Sequence, residues 1–414
     1  MTWRRVWPAL GRLLLLAVLA PAVVSAQGRP APAAPPEPGS ELRIAILTMG
    51  VGAYSWERFG HNAILVEDTR RGTSIAYNYG MFSFRSENFL LNFLKGRLLY
   101  WMEGEPLPRM LPRYEWLRRS VWEQELNLTP AQRVQLRDFL AWNAEPENKF
   151  YRYDYYRDNC STRVRDAVDS VLGGAFRAQM QGPAEGSWRF HTQRLNTHNP
   201  ALYTGLLLAL GEDADAPRTR WEEMFLPLKL REYLREVRVP DSTGALVPLV
   251  KGERTLYASD AFPVPDSPPA WLPWYLVAGG LLGALFAWGF ATRDGGGARV
   301  ARGLGILWAL LAGLVGVVLT GLWAFTDHVV ARHNENLLQF SLVALGLGVL
   351  LLFQRADRPG IARAARALAL LVAALSVLGL LLKALPAFGQ VNGQLIALAL
   401  PANVGLALGL LRRA

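Results

Sequence analysis

The sequence predicts an α+β domain carried outside the cytoplasmic membrane, followed by an all-α bundle of five membrane spans. Three observations carry that expectation: an arginine-led apolar N-terminus, a central stretch that mixes strand and helix patterns, and five apolar runs towards the C-terminus. At 414 residues, 51% of them hydrophobic, the chain is long enough for two units and too apolar to be wholly soluble.

Arg4, Arg5 and Arg12 lead into the apolar residues 13–24, and Val24-Ser25-Ala26 forms a small-residue cleavage signature before Gln27. Residues 1–26 therefore read as a signal peptide. No cysteine follows the apolar run, so the chain does not read as a lipoprotein itself. Residues 27–41, with repeated Pro and Ala, read as a stiff tether.

Residues 42–256 read as one α+β domain with a helical tail. The patterns of 42–49, 62–67 and 74–79 are those of strands, the last two joined by the polar connection 68–73. Residues 130–143 have a helical period with Thr129 as N-cap. In the helix expected over 161–172, Val164, Ala167, Val168, Val171 and Leu172 share a face, and Gly173-Gly174 stops it. Residues 224–239 read as a helical or extended packing segment. A linker, 257–270, runs into a stretch holding five prolines between positions 263 and 273.

The bundle, 271–414, contains apolar runs at 271–292, 304–325, 337–353, 367–385 and 394–411. Arg293, Arg299 and Arg302 follow the first run, Arg355, Arg358, Arg363 and Arg366 follow the third, and Arg412 and Arg413 end the chain. The opposite connections hold little more than Arg332 and Lys383. This asymmetry puts the arginine-rich loops in the cytoplasm and the α+β domain outside. It also accounts for the net charge of +10 without a basic stripe, which argues against a nucleic-acid partner.

Export makes the single cysteine informative, because a lone thiol in an oxidising compartment has no internal disulfide partner. Cys160 stands before Ser161-Thr162-Arg163 at the start of a predicted helix, with Asp158 or Asn159 placed to cap it. A helix N-terminus offers partial positive charge and free N–H groups, which favour a thiolate and later an oxyanion. Asn159 and Ser161 are the candidates for that support, whereas Asp158 would oppose a thiolate.

A thiol nucleophile needs a base that returns the proton to the leaving group. Of five histidines, His61 follows Arg58-Phe59-Gly60 and opens a strand, which holds its imidazole rigidly. His191, His198, His328 and His333 read first as solvated or hydrogen-bonded surface groups. None has the spacing of a metal site, and no metal or cofactor is expected. Asn78, on the neighbouring strand, is the candidate to orient the imidazole, with Asn62 and Asp158 as rivals.

At these residues the chain resembles known families. A histidine on the second strand of a hairpin, followed later by Asn-Cys opening a helix, is similar to the circularly permuted papain-like proteins related to lecithin:retinol acyltransferase. Trp56-Glu57-Arg58-Phe59-Gly60-His61-Asn62, Tyr77-Asn78-Tyr79-Gly80-Met81-Phe82 and Tyr153-Asp154-Tyr155-Tyr156-Arg157-Asp158-Asn159-Cys160-Ser161-Thr162-Arg163 resemble the bacterial Lnb-type lipoprotein N-acyltransferase family. The resemblance implies a circularly permuted papain-like fold and an inner-membrane protein with its N-terminal domain in the periplasm. The implied donor is a membrane phospholipid, and the implied acceptor is the lipidated N-terminal cysteine of an apolipoprotein.

Two rival readings stay open: a thiol peptidase, amidase or lipase of the cell envelope, and a non-enzymatic membrane-anchored scaffold. The outer connection between the second and third spans, with His328, His333, Asn334 and Asn336, is a further candidate site for a lipid headgroup or the acceptor amine.

Overall fold

The computed structural model describes residues 37–292, 295–354 and 358–412. The expected signal peptide, almost all of the tether, and Arg293, Arg355 and Arg413 lie outside the described residues. From Pro38 onward the sheet domain and the bundle form one unit.

Strands β1 (Leu42–Met49), β2 (His61–Asp68), β3 (Thr73–Met81), β4 (Leu99–Pro106), β5 (Val121–Leu126), β6 (Phe150–Arg152) and β9 (Val250–Tyr257) form a seven-stranded sheet in the order β6-β4-β3-β2-β1-β5-β9. All its pairs are antiparallel. A separate pair, β7 (Arg238–Pro240) and β8 (Leu246–Pro248), completes the strands.

The domain's helices are α1 (Phe89–Lys95), α2 (Leu107–Trp116), α3 (Pro130–Asn143), α4 (Cys160–Val171), α5 (Ala175–Gln179), α6 (Trp188–Leu195), α7 (Pro200–Ala209), α8 (Arg220–Glu223) and α9 (Pro227–Leu234). Thr129 caps α3, accepting from Gln132 N–H. Residues 224–239, expected as a single packing segment, divide into a short connection after α8, then α9 and the start of β7, because Pro227 starts a new helix.

Both faces of the central strands are buried. Ile44, Ile46, Ile64 and Val66 pack with Val164, Val168 and Val171 of α4. Ala45, Leu47, Ala63, Leu65 and Ala76 face Met110 and Tyr114 of α2. The two-residue period of a strand separates these sets, and α4 is thereby held against β2 and β3.

Among the described residues, four helices are long and apolar enough to span a bilayer: Leu272–Ala291, Gly296–Phe325, Pro359–Ala384 and Gly393–Arg412. In chain order the bundle helices are α10 (Leu272–Ala291), α11 (Gly296–Phe325), α12 (Leu342–Leu352), α13 (Pro359–Leu381) and α14 (Gly393–Arg412). Helices α10 and α14 approach closely because Gly279 and Gly283 meet the α14 backbone while Gly405 and Gly409 meet that of α10. Such small-residue contacts are the usual basis of close helix packing in lipid.

The third run, expected as one span over 337–353, is instead broken: Val329–Leu338 and Leu342–Leu352 meet at 49°. Non-helical backbone at membrane depth is tolerated where protein satisfies it. Here Asn403 of α14 donates to Gln339 O at 3.1 Å and to Ser376 Oγ at 2.7 Å.

Candidate active site

Helix α4 begins at Cys160, one residue earlier than expected, because Asn159 supplies the cap. Its Oδ1 accepts from Ser161 N–H at 2.8 Å and Thr162 N–H at 3.0 Å. Its Nδ2 donates to Tyr155 O and Phe225 O, both at 2.9 Å. Thr162 Oγ1 accepts from Asn159 N–H in return, closing a capping box. Asn159 thus fixes the helix start from four directions.

Ser161 is fully engaged, since its hydroxyl donates to Met224 O at 2.7 Å and its N–H is taken by the cap. The hydroxyl of Ser161 thus serves packing, while its N–H, shared with the cap, still faces the Cys160 sulfur. Among the described residues, the N–H of Cys160 itself has no backbone or side-chain acceptor.

The half-buried Cys160 lies under the bulge of β3. Gly80 has φ 82° there, and a Cβ at that position would sit 3.3 Å from the Cys160 Cβ. Glycine supplies both the left-handed backbone and the clearance. The backbone N–H of Asn62, the residue after His61, faces the sulfur. Burial pushes the Cys160 thiol up, offset in part by the N–H groups of Asn62 and Ser161 and by the charge of Arg119.

His61 opens β2 opposite Met49 of β1. Its Nε2 is 3.1 Å from Asn78 Oδ1, reaching across from the Ala63–Asn78 pair of β2 and β3. The amide group of Asn78 is committed, because Nδ2 donates to Ala76 O at 3.1 Å. Its Oδ1 must then accept, so Nε2 carries the imidazole proton and Nδ1 holds the free lone pair. Burial, with the nearby Arg119 charge next, pushes the His61 pKa down to about 4. At neutral pH the His61 imidazole and the Cys160 thiol are therefore both neutral.

The rival orienting groups are engaged elsewhere. Asn62 Nδ2 donates to Thr48 Oγ1 at 2.8 Å, and Asp158 pairs with Arg163 at 2.7 Å, which also removes its expected opposition to a thiolate. Of the other histidines, His198 is exposed, in line with a solvated group. His191 is not a surface group: it is buried on α6, 2.6 Å from Glu223. The polar run around it misled because Glu223 and Arg194, its partners, are distant or unremarkable in sequence.

Sequence reasoning missed Arg119. It is buried in the turn before β5 and donates to Gly50 O at 2.9 Å. It also pairs with Glu57 at 3.3 Å, while its Nη2 has no partner among the described residues. No local pattern marks it; only its neighbours in space do. Two surface hollows, one lined by Tyr79, Arg163 and Asp166 and one by Tyr77, Trp101 and Lys149, include neither His61 nor Cys160.

The membrane-face candidates are not gathered into one site. Asn334 Nδ2 donates to Leu208 O at 2.7 Å, and Asn336 Nδ2 donates to Leu207 O and Leu208 O, each at 3.1 Å. These carbonyls are the orphan C-terminal groups of α7. Both asparagines are buried and dock the sheet domain on the bundle, so their expected exposure to a headgroup is corrected. The exposed His333 sets its ring edge-on to Trp323, centroids 5.4 Å apart. His328 instead fastens α1, its Nε2 2.9 Å from Phe93 O.

A thiol and an oriented imidazole at one end of a sheet domain, docked on a bundle of apolar helices, define a membrane-anchored thiol protein. Two family models match: the Lnb N-terminal periplasmic domain over residues 38–194 and the Lnb transmembrane domain over residues 269–406, together well over half the chain. The chain belongs to the Lnb family. It is a multi-pass inner-membrane protein with its N-terminal domain in the periplasm, and that membership points to lipoprotein maturation. No curated protein and no solved structure matches it.

Proposed function

We propose that this chain moves a fatty acyl group from a membrane phospholipid, through a thioester on Cys160, to the α-amino group of the lipidated N-terminal cysteine of apolipoproteins. The observation that carries the reading is the His61–Asn78 hydrogen bond, which leaves Nδ1 free to act as a base, while the N–H of the next residue, Asn62, faces the Cys160 sulfur at the helix start. The order of histidine strand before cysteine helix also suits a circularly permuted papain-like arrangement.

In the first half-reaction His61 Nδ1 takes the thiol proton as sulfur attacks the ester carbonyl. The developing oxyanion is met by the Cys160 N–H at the positive end of α4. The bond to the glycerol oxygen breaks, His61 returns the proton to that oxygen, and a lysophospholipid leaves. In the second, the neutral amine attacks the thioester, the C–S bond breaks, and the amine proton passes through His61 to the thiolate. Asn78 orients the imidazole, and Asn159 positions the helix start. Donor and acceptor are both confined to the leaflet where the domain is held, which raises their effective concentration.

The test is mass spectrometry of lipoprotein N-termini from cells with and without this protein. N-acylated termini are expected only with it, and identical termini in both would overturn the reading.

A further inference from the structure

We propose that residues 82–95 form an interfacial foot sunk into the outer leaflet, and that the aromatic ring above it takes up a phospholipid acyl chain on its way to Cys160. The second half of this inference rests on the acyl-transfer reading; the first does not.

Helix α1 buries none of its residues. Leu90 is 67% exposed and Leu94 54%, with Leu91, Phe93 and the preceding Phe84 also exposed. A contiguous apolar surface of this kind marks a contact with protein or lipid. Its height decides which. Asp327 N–H donates to Lys95 O at 2.9 Å, and Asp327 pairs with Arg97 at 3.0 Å and Arg152 at 2.8 Å. Gly96, at φ 70°, lets the His328 backbone approach where a Cβ would collide. Asp327 lies two residues beyond Phe325, the end of the 30-residue α11, and Phe325 is 83% exposed. The apolar face of α1 is therefore fastened level with the outer end of a spanning helix, beside a connection where Phe325 is itself exposed. An apolar helix at that boundary has lipid as its partner.

From the foot, aromatic rings make a closed circuit. Phe82 meets Phe89 at 6.2 Å, Phe89 meets Phe93 at 6.5 Å, and Phe93 meets His328 at 6.4 Å. The circuit returns through Tyr155 at 6.1 Å, Tyr153 at 6.0 Å, Tyr100 at 4.2 Å and back to Phe82 at 5.1 Å. Tyr153 lies against the same Gly80 that clears Cys160. One side of the circuit is tied through His328 to the outer end of α11, and the other lies against Gly80, next to the Cys160 helix start. Walls of this kind receive an alkyl chain without leaving polar groups unpaired.

The test uses full-length protein in nanodiscs of phosphatidylethanolamine and phosphatidylglycerol. A nitroxide at Leu94→Cys, in a Cys160→Ser background, is expected to collide with oxygen in preference to a water-soluble nickel chelate, as a label at the lipid-facing Leu311→Cys does. Nickel-dominated collisions at position 94, matching those at the exposed Arg71→Cys, would overturn the foot. With native Cys160, Leu90→Glu/Leu94→Glu is expected to slow thioester formation from nanodisc phospholipid at least tenfold, while iodoacetamide alkylates Cys160 at the wild-type rate. An unchanged thioester rate would overturn the acyl passage. A lipid-embedded label with no thioester in the wild type would leave the foot standing and defeat the acyl-transfer reading instead.

Discussion

The His61–Cys160 end of the sheet and the outer end of the bundle each collect histidine, asparagine and acidic side chains. In the bundle, Asn334, Asn336 and Gln390 spend their amide groups on Leu207, Leu208, Ala209 and Leu210 carbonyls, and Glu335 pairs with Lys383. At the sheet end, the imidazole keeps a lone pair, the Cys160 N–H has no acceptor among the described residues, and Arg119 keeps a nitrogen unpaired. A crowd of polar residues that satisfy one another is a joint. A few groups held rigidly with capacity to spare are where chemistry is expected.

Substitution at the sheet end should therefore remove chemistry while leaving the protein in place. Cys160→Ser and His61→Ala are each expected to cost at least about a thousandfold in lipoprotein N-acylation, since they remove nucleophile and base. Export and abundance should stay near wild type in immunoblots. A fully active Cys160→Ser protein would remove the thioester from the mechanism.

Asn78 acts through the imidazole, so its loss should be milder. Asn78→Ala is expected to slow thioester formation about tenfold, a fraction of the general-base contribution. The pH profile separates orientation from mere packing. With the His61 pKa pushed down to about 4, the base form prevails above that value. The acid limb of the rate should accordingly lie near pH 4 and not near the ordinary imidazole value of about 6.5. Asn78→Asp sets a negative charge beside Nε2 and favours the imidazolium, so the limb should move to higher pH. An acid limb that stays put in Asn78→Asp would deny the contact a role in tuning the base.

At the bundle end the expected loss is of stability. Asn336→Ala removes its two hydrogen bonds to α7 carbonyls and leaves the buried Asn392 Nδ2 without its acceptor, so it should lower stability by about 1–3 kcal/mol, seen as a lower thermal midpoint in detergent. The rate at which iodoacetamide alkylates Cys160 should not change. A normal thermal midpoint with impaired acyl transfer would restore this loop as a binding site and erase the contrast.

The sheet-end groups were legible in the sequence because each is fixed by local rules. Asn-Cys before a helical period marks a capped helix start, Gly-His opens a strand, and Asn78 falls on the partner strand. Arg119 and the burial of His191 were hidden because they depend on residues far away in sequence, Gly50 and Glu223 respectively. The broken third span was hidden for the same reason: residues 337–353 are apolar enough to read as one helix, and only Asn403 of α14, which satisfies the interrupted backbone, reveals the break. The membrane-face cluster was visible, but the burial of Asn334 and Asn336 was hidden, since nothing in it shows that α7 would bring it carbonyls to bind.

The most direct test is the intact mass of the purified full-length protein after incubation with phospholipid. One acyl mass should be added on Cys160, removed by neutral hydroxylamine and discharged on adding a peptide with a diacylglyceryl N-terminal cysteine, whose amine gains that acyl group. Acylation of the peptide by Cys160→Ala protein at the wild-type rate would contradict it.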